Sequence, residues 1–125
     1  MQSSRINDDD RVVVLATGGT LAGTADEPGD NVGYRAAQLG IAELLARIPA
    51  LAGTALQSEQ VAQIDSKDMG YAIWRRLAER VAYHLERSDV AGIVITHGTD
   101  TLEETAYLLQ RVLAPAKPVV LTAAM

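Results

Sequence analysis

Val90-Ala91-Gly92-Ile93-Val94-Ile95-Thr96 is apolar at consecutive rather than alternate positions, and it runs directly into His97-Gly98-Thr99-Asp100-Thr101. A strand that is apolar on both faces has to be covered on both, which is the situation of a strand inside a parallel sheet. The pattern recurs upstream, where Val12-Val13-Val14-Leu15-Ala16 ends at Thr17-Gly18-Gly19. Between the two, Ile73, Leu77, Val81 and Leu85 repeat every four residues with Trp74 beside them, which predicts an amphipathic helix over residues 69–87.

Further out, Thr101-Leu102-Glu103-Glu104 has the spelling of a capping box, in which the threonine hydroxyl and the glutamate carboxylate satisfy each other's orphan amides. The helix it opens is predicted to reach Leu113, with Pro115 closing it, and Pro118 leads into another buried strand over residues 118–125. Residues 60–64 form a weaker strand candidate, while Leu39, Leu44, Leu45 and Ile48 fall at helical spacing ahead of Pro49. Strands alternating with helices in this way predict right-handed βαβ units and a three-layer α/β/α sandwich on a mostly parallel sheet. A parallel strand ordinarily delivers the chain to a loop and a covering helix, so a last strand ending at Met125 predicts a truncated domain.

The 125 residues suit one domain, a polar tail over 1–10 followed by a folded unit over 11–125. Eleven basic against sixteen acidic residues leave a net charge of −5, which gives no pull toward phosphate backbones or anionic lipid and disfavours nucleic-acid and membrane partners. With no cysteine there are no disulfides, thiolate nucleophiles or cysteine metal sites. With no Phe, one Trp and four Tyr, the core must be built from Leu, Val, Ile and Ala. Asp8, Asp9 and Asp10 stand where an export signal needs basic and then apolar residues, so a cytoplasmic location is expected.

In an open parallel sheet, ligands bind beyond the carboxyl ends of the strands. Three segments are expected there: Thr17 to Thr20, Asp65-Ser66-Lys67-Asp68, and His97 to Thr101. They offer hydroxyls on Thr17, Thr20, Ser66, Thr96, Thr99 and Thr101, a carboxylate on Asp100, and close backbone approach at Gly18, Gly19 and Gly98. Asp100 and Thr101 also sit at a helix start, where outward amides suit an anion. Any one such loop is ordinary turn and cap chemistry. No lysine follows a glycine in the phosphate-loop pattern, and Gly18, Gly19 and Gly23 do not spell the dinucleotide fingerprint.

His84 and His97 lie thirteen residues apart without acids at ligand spacing, so neither metal nor cofactor is expected. His84 is expected to be a surface or packing residue and His97 to give hydrogen-bonding support to the site. Trp74 is expected in the core, and Tyr71, Tyr83 and Tyr107 in core or surface packing on helices. Tyr34 closes a Gly-, Asp- and Pro-rich loop over residues 23–33, where it is equally a lid residue or a loop anchor.

Two stretches taken together are specific. ATGGTLAGT at 16–24 and THGTDTLEETAYLL at 96–109 closely resemble the paired signatures of bacterial-type L-asparaginases, and the order and spacing of Tyr34 and of QIDSKDM at 63–69 fit the same family. The resemblance covers about residues 11–125, the family's N-terminal part, and implies hydrolysis of L-asparagine to L-aspartate and ammonia, with weaker action on L-glutamine. It makes Thr20 the nucleophile that forms an acyl-enzyme, Tyr34 its activator, and Thr99 the second catalytic threonine. Ser66 and Asp100 match the positions that hold the substrate's α-carboxylate and α-ammonium. Amides around Gly19 and Gly98 are candidate oxyanion donors, each worth about 3 kcal/mol in other enzymes.

The resemblance also implies a homotetramer, a C-terminal domain, and a catalytic lysine beyond the strand that ends near Met125. Lys117 precedes that strand and does not match, so the 125-residue chain alone is expected to be nearly inactive. Lys67 stands where several relatives carry Gln or Glu, either tuning substrate preference or facing solvent. The alternatives are a non-catalytic module binding aspartate or asparagine, a glutaminase-asparaginase, and an amidase acting on a tRNA-linked substrate.

Overall fold

The computed structural model describes residues 10–18 and 40–124. Four parallel strands form one sheet in the order β2-β1-β3-β4. They are β1 (Arg11–Gly18), β2 (Leu56–Ile64), β3 (Val90–Thr96) and β4 (Val119–Thr122). The connecting helices are α1 (Ile41–Ala46), α2 (Tyr71–Leu85) and α3 (Leu102–Leu113).

The continuous apolar runs occupy the centre, as their composition requires. On one face of the sheet, Val13, Leu15, Ile93 and Ile95 meet Leu77 and Val81 of α2 and Leu109 of α3 in a single buried cluster. On the other face, Val14 and Ala16 pack against Ile41 of α1, with Leu44 and Leu45 beside them. Helices thus cover both sides of β1. Gly18 ends β1 with φ +100°, a conformation in which a side chain would be strained, and the pairing with β2 shifts register between Ala16 and Gly18. β1 therefore ends at the edge where the other two candidate loops begin.

β2 is nearly twice as long as its sequence signal. Its outer half, Leu56 to Gln60, is polar because it lies at the edge of the sheet, where side chains find charged partners. Glu59 takes a forked pair from Arg80, with Nε and Nη2 at 2.6–3.0 Å from its oxygens. Gln57 accepts from Arg87 at 2.8 Å. Arg87 also pairs with Asp89 at 2.9 Å and donates to Nδ1 of His84 at 3.1 Å. His84 is fully buried, a packing residue rather than a surface one. Because a guanidinium can only donate, His84 Nδ1 must accept, which places the proton on Nε2, 3.7 Å from a Glu59 oxygen.

This cluster gives the fold an acid-sensitive edge. Desolvation holds the His84 imidazole below its ordinary value of 6.5, opposed by the Glu59 charge. The Arg80 fork holds the Glu59 carboxyl below 4.5, and the Arg87 pair holds Asp89 below 3.8. A lowered histidine value means that the unfolded chain takes up the proton first, so stability declines once pH falls below about 6.5. The carboxylates add a second decline below about 4.5 by the same sign. The melting temperature of the wild type is expected to fall between pH 7 and 5, with a shallower slope in His84→Gln. Equal slopes would remove His84 from this account.

Candidate functional site

At the carboxyl edge of the sheet, the loops after β2 and β3 are in direct contact. The Asp65 carboxylate accepts the Lys67 amide at 3.2 Å and folds Ser66–Asp68 into a single 3-10 turn. That turn buries Ser66 to 3% exposure and aims it at the start of α3. The Ser66 hydroxyl oxygen accepts the Asp100 amide at 3.1 Å, and its carbonyl accepts the Thr101 hydroxyl at 2.8 Å. Gly98 lies flush against it, since a Cβ there would clash with the Ser66 hydroxyl and stand 2.8 Å from Ser66 Cβ. With one lone pair occupied by Asp100, the Ser66 hydroxyl keeps its proton to donate to an incoming oxygen.

Thr101 does not form the capping box that its spelling predicts. It occupies the cap position of α3 without a side-chain cap bond, and its hydroxyl donates to the Ser66 carbonyl. The exchange matters for the site: the threonine staples one loop to the other. Thr99 and Asp100 beside it are exposed. The edge thus offers a hydroxyl donor, an exposed hydroxyl and a carboxylate, the complement of a small molecule bearing both an anionic and a cationic group.

His97 is buried behind this edge, as a support rather than a reacting group. Its backbone amide reaches the Thr122 carbonyl at 2.9 Å and extends the β3–β4 pairing by one residue. Its ring touches the Gly98 carbonyl through Nδ1 at 2.7 Å and the Thr105 hydroxyl through Nε2 at 2.8 Å. The Thr17 hydroxyl, also buried, donates to the Thr96 carbonyl at 2.8 Å and ties the ends of β1 and β3 together. Of the other sequence candidates, Gly19, Thr20 and Tyr34 lie outside the described residues. Lys67 is exposed.

Lys117 is at the opposite edge. It precedes β4, and its ammonium donates to the Arg87 carbonyl past the end of α2 at 2.6 Å. It belongs to the turn structure below the sheet, not to the site. Trp74, expected in the core, is only half-buried and spends its indole N–H on Thr105 at 2.8 Å. Tyr71, Tyr83 and Tyr107 are exposed at 89%, 53% and 69%, on helix surfaces rather than in the core, with Tyr71 edge-on to Trp74 and Tyr83 edge-on to His84.

Two contributors escaped the sequence reading. Gln60 accepts the Ile41 amide at 2.8 Å and reaches the Ala16 carbonyl at 3.4 Å, linking the start of α1 to the end of β1. Thr105 stands in the core-facing row of α3 with Leu109 and Leu113, and a hydroxyl in an apolar row is the signal of a buried polar partner. A groove of about 410 Å3 between α2 and α3 is lined by apolar side chains, and its two charged residues, Arg75 and Glu79, pair with each other at 3.1 Å. It converges no polar groups. Among the described residues, no cluster of three metal-ligating side chains occurs, and no helix is long and apolar enough to cross a membrane.

Comparison with known proteins identifies the family. The family model for the asparaginase N-terminal domain matches residues 11–125. A glutaminase-asparaginase of Pseudomonas fluorescens biotype A is 46% identical over 115 residues, covering 91% of this chain and 32% of the relative. A probable periplasmic L-asparaginase of Haemophilus influenzae is 43% identical over the same shares of each chain. The crystal structure of a probable cytoplasmic L-asparaginase from Campylobacter jejuni superposes with a TM-score of 0.84 at 43% identity, over 92% of this chain and 35% of that one. The chain thus spans about a third of the length of these proteins.

Proposed function

The chain belongs to the asparaginase family, and from that premise we propose that it supplies the N-terminal share of an L-asparaginase, which hydrolyses L-asparagine to L-aspartate and ammonia and acts more weakly on L-glutamine. One observation carries the reading to these residues. The Ser66 hydroxyl is locked by the Asp100 amide with its proton left to donate, beside the exposed Asp100 carboxylate. A free amino acid presents one carboxylate and one ammonium to such a pair.

In this reading, Ser66 donates to the α-carboxylate and Asp100 accepts from the α-ammonium. The side-chain amide then projects along the strand ends toward the segment after β1. Thr20 attacks the amide carbon, its proton passing to the departing nitrogen through Tyr34. Ammonia leaves and an ester to Thr20 remains. Water oriented by Thr99 then attacks that ester, releasing L-aspartate and restoring the threonine. A threonine hydroxyl is a poor nucleophile at neutral pH, so this chemistry needs a proton path and preorganised amide donors for the oxyanion, here those around Gly19 and Gly98.

The isolated 125-residue chain is expected to be nearly inactive. Neither of the chain's two lysines matches the one that the family resemblance calls for, since Lys67 precedes the 97–101 segment and Lys117 is engaged at the opposite edge. A cytoplasmic location and a homotetramer complete the proposal. Calorimetry with L-aspartate beside an ammonia assay, both on the full-length protein, tests it. Binding with ammonia release from L-asparagine supports the hydrolase. Binding without release would leave an amino-acid-binding module, and neither would refute the site.

A further inference from the structure

We infer that Trp74, Thr105 and His97 form a fixed hydrogen-bond relay that positions the Gly98–Asp100 loop, making Thr105 and Trp74 positioning residues for ligand binding at Ser66 and Asp100. The direction of every bond follows from donor and acceptor chemistry. A carbonyl can only accept, so the 2.7 Å contact with Gly98 requires the proton on His97 Nδ1. In the neutral ring Nε2 is then an acceptor, and the Thr105 hydroxyl donates to it at 2.8 Å. An indole N–H can only donate, so Trp74 fills a Thr105 lone pair at 2.8 Å. Each donor therefore has one acceptor, and the sequence of bonds runs from α2 through α3 into the loop after β3.

Burial makes the relay consequential. His97 and Thr105 are both fully buried, so a group that loses its partner finds no water to replace it. The relay ends on the Gly98 carbonyl, in the one residue that fits against Ser66 and immediately before Thr99 and Asp100. If Nε2 lost its donor, the ring would be free to change tautomer or rotate. The Nδ1–H bond that holds the Gly98 peptide plane would then be lost. The Asp100 amide and carboxylate, which follow one peptide unit beyond that plane, would no longer be fixed against Ser66.

The inference rests on the proposed role of Ser66 and Asp100 in binding an amino acid, and its test separates the two. Thr105→Val keeps the side-chain shape and deletes the hydroxyl. In the full-length protein it is expected to weaken L-aspartate binding by about tenfold, the size of one lost hydrogen bond. It is also expected to shift the Trp74 indole N–H resonance, identified by its absence in Trp74→Phe, and to change the tautomer signature of the His97 ring nitrogens. Thr105→Ser should restore affinity and both signals, which a purely volumetric role would not predict. Unchanged His97 nitrogen signals and unchanged affinity in Thr105→Val would overturn the relay. If Thr105→Val fails to fold, Trp74→Phe and Thr105→Ser decide it through the His97 signals alone. If the wild type binds no L-aspartate, the binding role of this edge fails, while the His97 and Trp74 signals of the ligand-free protein still decide the relay.

Discussion

Thr20→Ala in the full-length protein is expected to lower ammonia release from L-asparagine by at least about a thousandfold, while L-aspartate still binds within about threefold of the wild type. An alanine has no oxygen with which to form the ester, so hydrolysis loses its covalent step. Losses of nucleophiles elsewhere fall in this range or above, the residual rate coming from binding and oxyanion stabilisation. The split between turnover and affinity follows from the separate roles proposed for these residues. The groups proposed to hold the amino acid are Ser66 and Asp100, after β2 and β3, whereas the nucleophile is proposed in the segment after β1. A steady-state ammonia assay beside calorimetry reads both quantities. Turnover within tenfold of the wild type would take the nucleophile's role from Thr20.

Gly98→Ala is expected to weaken L-aspartate binding by about a hundredfold. The added methyl would clash with the Ser66 hydroxyl and stand 2.8 Å from Ser66 Cβ, and β3 leaves no slack because the His97 amide is held by Thr122 at 2.9 Å. Either Ser66 rotates away and abandons the Asp100 amide, or the loop lifts and carries Asp100 with it. Both outcomes separate the two groups proposed to hold the ligand. Gly70→Ala serves as the control, since an added Cβ there meets nothing within 4 Å. Calorimetry on the two variants checks the contrast, and equal affinities would show that the Gly98–Ser66 fit is incidental to binding.

The fold was legible where burial imposes a local pattern. The run at Val90–Thr96 is β3 residue for residue, and the four-residue repeat of Leu77 and Val81 lies on the buried face of α2. Legibility failed where a residue answers to a distant partner. The outer half of β2 has no apolar signal because Glu59 and Gln57 are matched to Arg80 and Arg87, 21 and 30 residues away in the chain. Thr101 has the spelling of a cap but bonds to Ser66, 35 residues away. Whether His84 was a surface or a packing residue stayed open in the sequence because the guanidinium and carboxylate that accommodate it come from different elements.

The same distinction applies to the site. Ser66, Gly98, Thr99 and Asp100 could be picked from the sequence because small polar loops at strand ends are where an open parallel sheet binds ligands. What holds them together could not. The bond from Asp100 to Ser66 spans 34 residues, and that from Trp74 to Thr105 spans 31. Lys117 shows the converse: placed before β4, it had to emerge at the wrong edge, and the order of the elements alone was enough to exclude it.

Ammonia release from L-asparagine, measured on the full-length protein with the isolated 125-residue chain beside it, tests the proposed hydrolase most directly. The account predicts clear turnover by the full-length protein, slower turnover with L-glutamine, and almost none by the isolated chain. An inactive full-length protein would contradict the hydrolase reading, and robust turnover by the isolated chain would contradict the need for groups beyond it.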